Sequence, residues 1–145
     1  MREIQERINE AYPTAMVEWG EMENLTFIEQ VHFWNRQDVV VAAHGAAMTN
    51  AIFMRRRTSV VEIFPPHYYV LMYREMCEAA GIYHFAWMDD TAVPEYDFVL
   101  HCRNRLERWE IRSQPITPPV DRIVELVAKA IVATKQTPLK EESKS

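Results

Sequence analysis

The segment Asp38-Val-Val-Val-Ala-Ala-His-Gly-Ala-Ala-Met-Thr-Asn50 constrains this chain most. A run of β-branched residues stops at His44-Gly45. Small residues follow, and Thr49-Asn50 leads into Ile52, Phe53 and Met54. That order predicts a buried strand, a tight turn and a helix start. In open α/β sheets ligands bind outside the carboxyl end of such a strand. A helix start there offers unpaired backbone N–H groups and the positive end of a dipole to a phosphate.

The surrounding pattern alternates: strand 39–43, helix 46–54, strand 59–64, helix 67–80, strand 82–87. Strands alternating with helices imply right-handed crossovers and a parallel sheet. The near-continuous Val/Ile runs at 39–41 and 60–63 suit strands covered on both faces. Upstream, Ile4, Ile8 and Tyr12 share one helical face over residues 2–12, and Pro13 ends that helix. Thr14 to Trp19 reads as a short strand. Asn24 or Thr26 caps the next helix. Gly81 is a C-terminal stop for the helix at 67–80. Tyr96 to Cys102 reads as a further strand. Pro119 starts an amphipathic helix that turns Ile123, Leu126, Val127, Ala130 and Ile131 inward. One α/β domain over residues 1–135 and a disordered polar tail at 136–145 are expected.

At 145 residues the chain suits one domain with a real core. The net charge is −5 and no basic stripe stands out, which argues against a nucleic-acid partner. Arg55-Arg56-Arg57 is either a solvated turn or an anion contact beside the His44 loop. No apolar run approaches the ~20 residues of a membrane helix, and no targeting segment opens the chain. An anchor in a longer parent stays open. Cys77 and Cys102 form neither a disulfide framework nor a metal-ligand spacing, and a single bridge between them stays open.

The chemistry-bearing residues each carry two readings. His44 either holds the turn through a backbone hydrogen bond or donates to a phosphate or sugar. Gly45, one of only three glycines, permits φ > 0 and close backbone approach to a ligand. Thr49 and Asn50 either cap locally or face a diphosphate. Glu62 interrupts an apolar strand, and a carboxylate there is costly unless paired or solvated. It is either an ion-pair partner of a nearby Arg or a bidentate acceptor for ribose hydroxyls. Glu29 and Gln30 are a solvated helix face or a support for the His44 loop. His67, Tyr68 and Tyr69 pack the following helix or line a pocket. Asp89-Asp90 is a poor metal signal, because adjacent side chains rarely converge, and no metal site is expected. No Ser/His/Asp nucleophile set assembles.

Phe27-Ile-Glu-Gln-Val31, Asp38 to Asn50, Phe53-Met54, Val60-Val-Glu-Ile-Phe-Pro65, Tyr73 and Ala80-Gly-Ile-Tyr83 recur in this order in a known family. Over residues ~25–83 the chain resembles glycosyltransferase family 61. The resemblance implies the C-terminal, donor-binding, Rossmann-like domain of a GT-B fold, truncated at its N-terminus. It implies an inverting transfer from a UDP-sugar, with no cofactor and no metal. The sugar would be xylose, arabinose or GlcNAc, and the acceptor a glycan or glycoprotein hydroxyl. On that template Gly45, Ala46 and Ala47 bring N–H groups to the diphosphate. His44, Thr49 and Asn50 contact phosphate or sugar, and Glu62 holds the ribose. The compartment implied is the Golgi or endoplasmic reticulum lumen, with a membrane-anchored parent.

Departures from the family pattern are Met48 in place of Leu, and an Arg-rich preceding segment reduced to Arg2 and Arg7. No acceptor domain and no assignable catalytic base are recognisable. A non-catalytic nucleotide-sugar-binding or interaction module is therefore the alternative. A Rossmann-like hydrolase using His44 as base is a third reading, without a nucleophile beside it.

Overall fold

A computed structural model describes residues 2–95, 102 and 104–136 of the chain. Three parallel strands, β1 (Val39–Ala43), β2 (Ser59–Ile63) and β4 (Tyr83–Trp87), form the main sheet in the order β1-β2-β4. Their registers align Val39 with Ser59 and Ser59 with Tyr83. Two-residue strands β3 (Tyr68–Tyr69) and β5 (Val93–Pro94) form a second, parallel pair. The fold is thus mixed α/β with a small parallel sheet, as the alternating pattern predicts.

Side-chain alternation divides the core into two layers. Val61 and Ile63 point to one face, where α1 (Arg2–Ala11) and α5 (Val120–Lys135) bury Ile4, Ile8, Ile123, Val127 and Ala130. Ser59, on the same face, donates to the Ala130 carbonyl at 3.0 Å and meets the Thr134 hydroxyl at 2.7 Å. Val40 and Val60 point to the other face. There α2 (Phe27–Asn35), the 3-10 segment Ala46–Phe53 and α3 (Met72–Ala80) bury Trp34, Met48, Ala51, Tyr73 and Cys77. Both faces of the sheet are covered, those of β2 completely, which explains the near-continuous apolar runs of β1 and β2.

The helix ends follow local chemistry. Thr26 begins α2 with a capping box: its hydroxyl accepts from Glu29 N–H, and the Glu29 carboxylate accepts from Thr26 N–H at 2.8 Å. Gly81 ends α3 in the left-handed region at φ 74°. Its N–H meets the Glu78 carbonyl, and Ile82 N–H meets the Cys77 carbonyl, a Schellman motif.

Four local expectations change. Thr14 to Trp19 is not a strand. It finds no ladder partner, and Glu18 instead binds Arg36 and Gln37. The helix expected over 46–54 is 3-10 rather than α. Met48 N–H bonds the Gly45 carbonyl three residues back, and the Thr49 hydroxyl bonds the Ala46 carbonyl. The helix expected over 67–80 starts only at Met72, because Pro65-Pro66 and a positive φ at His67 (73°) lead into β3. A helix not expected, α4 (Arg105–Arg112), follows Asn104, whose side chain accepts from Glu107 N–H at 2.9 Å. The strand expected at Tyr96 to Cys102, Cys102 apart, and the tail beyond Gln136 lie outside the described residues.

Candidate functional site

The site is built by the register of the main sheet. Parallel pairing sets Ala42, Glu62 and Ala86 side by side across β1, β2 and β4. The ladder continues one residue past β1, where His44 N–H bonds the Ile63 carbonyl at 2.8 Å. Period two then turns Ala42, His44, Glu62, His84 and Ala86 to the same face. The two alanines flanking Glu62 leave room that larger side chains would fill. His44 and His84 occupy it from opposite diagonals. Nδ1 of His44 lies 2.6 Å from Oε1 of Glu62, and Nε2 of His84 lies 2.7 Å from Oε2.

All three side chains are withdrawn from solvent: Glu62 is 0% exposed, His44 7% and His84 5%. Burial alone would push the Glu62 carboxyl upward. The hydrogen bonds and charges of the two imidazoles outweigh that and hold it below its ordinary range. The carboxylate in turn acts on its neighbours in α3. Burial first, then Glu62, raises the Tyr73 hydroxyl, and the same two causes push the Cys77 thiol up to about 11. The His44 ring stacks on Phe64 with centroids 5.0 Å apart and meets Tyr73 at 5.3 Å. Cys77 and Cys102 are both free thiols.

The turn beyond His44 is open. Gly45 is extended (φ 167°), a conformation any residue adopts, so the left-handed freedom expected of it is not used. A Cβ placed there would meet no heavy atom within 4 Å. Met48 N–H makes the first backbone bond inside the 3-10 segment, so the Ala46 and Ala47 N–H groups precede the bonded ladder. Thr49 is exposed and bound to its own turn. Asn50 is buried, and its amide donates to Gln30 at 2.9 Å. Gln30 passes this on to the Met22 and Leu25 carbonyls. Of the two expected supports, Gln30 therefore braces the turn, while Glu29 closes the α2 capping box.

Two further groups of charged residues are engaged elsewhere. Arg55, Arg56 and Arg57 precede β2, at the amino end of a parallel sheet whose carboxyl end carries His44. They are spent on Asp38, the packing against Gly81 and the Gln136 carbonyl. Asp89 accepts from the N–H and hydroxyl of Thr91, which also meets His67. Among the described residues no group of three His, Cys, Asp or Glu is arranged to hold a metal ion. A cleft of about 560 Å³ lies at the same carboxyl edge, lined by Pro66, Trp87, Asp89, Pro119 and Arg122.

His84 is the site residue that the sequence does not announce. Within Tyr83-His-Phe-Ala-Trp87 it is one ring among several. Its meeting with Glu62 depends on the β2–β4 register. The same register gives Glu62 two histidines as partners, where one of its two readings has an arginine.

The glycosyltransferase 61 family model matches residues 1–61. The match takes in α1, α2, β1 and the whole His44 turn. It begins upstream of residue 25, where the resemblance is first legible in the motifs, and stops one residue before Glu62. No curated protein resembles the chain closely enough to match it.

Proposed function

We propose that this chain is the nucleotide-sugar-binding part of a GT-B glycosyltransferase, and that the turn from His44 to Asn50 receives the diphosphate of a UDP-sugar. One observation carries the reading. At the carboxyl end of a parallel strand, a braced imidazole is followed by an extended Gly45 facing open space and by N–H groups ahead of the 3-10 ladder. Such a turn suits an anion that needs close approach and N–H donors. In a transfer reaction the same groups stabilise the charge that develops on the departing UDP.

The roles divide by accessibility. Gly45, Ala46 and Ala47 offer backbone N–H groups, and His44 donates from the imidazole. Thr49, exposed on the turn, meets phosphate or sugar. Asn50 is buried against Gln30 and fixes the turn. Glu62 is enclosed between two imidazoles, so its role in this reading is to brace His44 rather than to take ribose hydroxyls. Inversion at the sugar, a glycan or glycoprotein hydroxyl as acceptor, and a place in the Golgi or endoplasmic reticulum lumen belong to the same proposal, supported by the family match alone.

Calorimetric titration of the purified chain with UDP tests the reading. UDP is expected to bind. His44→Ala is expected to weaken it about tenfold, the size of a lost charge-assisted hydrogen bond. No heat of binding to a folded chain, or an unchanged affinity in His44→Ala, refutes the assignment.

A further inference from the structure

We propose that His84 is a positioning residue for the His44 turn, acting through Glu62 without itself reaching the ligand. The inference rests on the reading of that turn as the diphosphate site, and it concerns a residue beyond the family match.

Glu62 is ionised, since the two imidazoles hold its carboxyl below the ordinary range, so both of its oxygens accept. His44 must then donate from Nδ1 and His84 from Nε2. For neutral His44 this selects the Nδ1–H tautomer, and for the imidazolium it fixes the ring's direction. Either way the ring edge carrying Nε2 points away from Glu62, and since only the imidazolium carries a proton at both nitrogens, it is the form that donates to a phosphate while Glu62 offsets its charge. A carboxylate able to rotate would hold either state less firmly.

His84 removes that freedom. At 2.7 Å it binds the second oxygen, so the carboxyl plane is pinned from both sides. Phe64 stacked on the His44 ring and Tyr73 against it close the remaining directions. The other ionisable groups nearby are Tyr73 and Cys77 on α3, both pushed upward and therefore neutral, with the Arg112 charge of α4 acting on Tyr73. The hydrogen bonds of the Glu62 carboxylate run instead to His44 and His84.

Gln and Leu substitutions at 84 separate positioning from mere packing. Gln places an amide nitrogen where Nε2 of His lies and keeps the donor. Leu keeps the bulk and removes it. The primary measurement is the long-range proton–nitrogen NMR spectrum of the histidine rings in the unliganded chain. Wild type is expected to show His44 protonated at Nδ1, and His84→Gln should keep that signature. His84→Leu should move His44 toward the Nε2–H tautomer and weaken UDP binding about tenfold, while His84→Gln stays within about twofold.

A wild-type His44 that is neutral and protonated at Nε2 overturns the proposal, and this needs no variant to fold. So does a folded His84→Leu chain whose His44 signature is unchanged. Failure of UDP to bind wild type would instead sink the diphosphate reading, and the His44 signature would still decide the positioning claim.

Discussion

Gly45 and Gly81 look alike in sequence and are used in opposite ways. Gly81 sits at φ 74°, with the Arg56 guanidinium 3.0 Å from where a Cβ would stand. Gly81→Ala should therefore cost roughly 1–2 kcal/mol, from left-handed strain and the displaced Arg56. Gly45 is extended and faces space, so Gly45→Ala should leave the unfolding midpoint unchanged. A larger Gly45→Val change should weaken UDP binding severalfold while the fold stands, because the side chain occupies the approach to the turn. Thermal melts and UDP titrations of the three variants separate the two uses. Equal destabilisation by the two alanines would show that the Gly45 backbone is not as described.

Glu62 makes the matching argument for charge. Its folded carboxyl titrates below its ordinary value of 4.5, so its ionised form contributes stability above that value. The contribution is lost as pH falls through the folded value, that is, below about 4.5. Exposed Glu18 and Glu29 are also held low by their hydrogen bonds, so acid sensitivity of the whole chain is not specific to Glu62. Glu62→Gln isolates it. At neutral pH the variant should be less stable by about 3 kcal/mol, as expected for breaking a buried charged cluster. The gap from wild type should narrow as pH drops below the ordinary carboxylate value. A gap that stays constant from pH 7 to pH 3 in urea unfolding would contradict an ionised Glu62.

At the scale of elements, α2 connects the capping chemistry to the site. Thr26 starts the helix, Gln30 lies one turn on, and Gln30 holds Asn50. Thr26→Ala should cost about 1 kcal/mol through the lost cap. It should also loosen the Gln30–Asn50 contact, seen as faster amide exchange in the Met48–Ala51 stretch. Unaltered exchange there would mean that the turn is fixed without α2.

The same elements show what the sequence carries. β1 and β2 are legible because strands covered on both faces leave near-continuous apolar runs, and Gly81 and Thr26 are legible because caps are local chemistry. The 3-10 form of Ala46–Phe53 is not, since an apolar segment packed against α2 and α3 satisfies either winding. Strands of two residues, such as β3, leave no period to read. Helix α4 escapes because its apolar Leu106 and Trp109 are 73% and 71% exposed, so they do not mark a core-facing stripe in the usual sense. His44 and Glu62 stand out in sequence as polar residues at the ends of apolar runs. Their union, and the entry of His84, is a property of register, which pattern alone does not fix.

For the whole molecule, the carboxyl edge of the sheet joins layers that the chain builds separately. The sheet turns the His44–Glu62–His84 cluster toward the α2–α3 layer, where Asn50 also packs. The α1–α5 layer covers the opposite face and flanks the cleft beside Trp87. β2 is common to both, with all five of its residues buried. A ligand held at the His44 turn is therefore coupled to the strand on which both layers pack. Binding to the folded state alone stabilises it by RT ln(1 + [L]/Kd), about 2.7 kcal/mol at a hundredfold excess over Kd. For a domain of this size that is a rise of roughly 5–10 °C in Tm. UDP at such an excess should therefore raise the Tm of wild type by that amount. It should raise His44→Ala by visibly less at the same concentration, because the excess over its weakened Kd is smaller. Uridine, which lacks the diphosphate, should give little or no shift if the turn is the anion site. An equal shift with uridine and UDP would place the binding energy on the nucleoside and remove the diphosphate from the His44 turn.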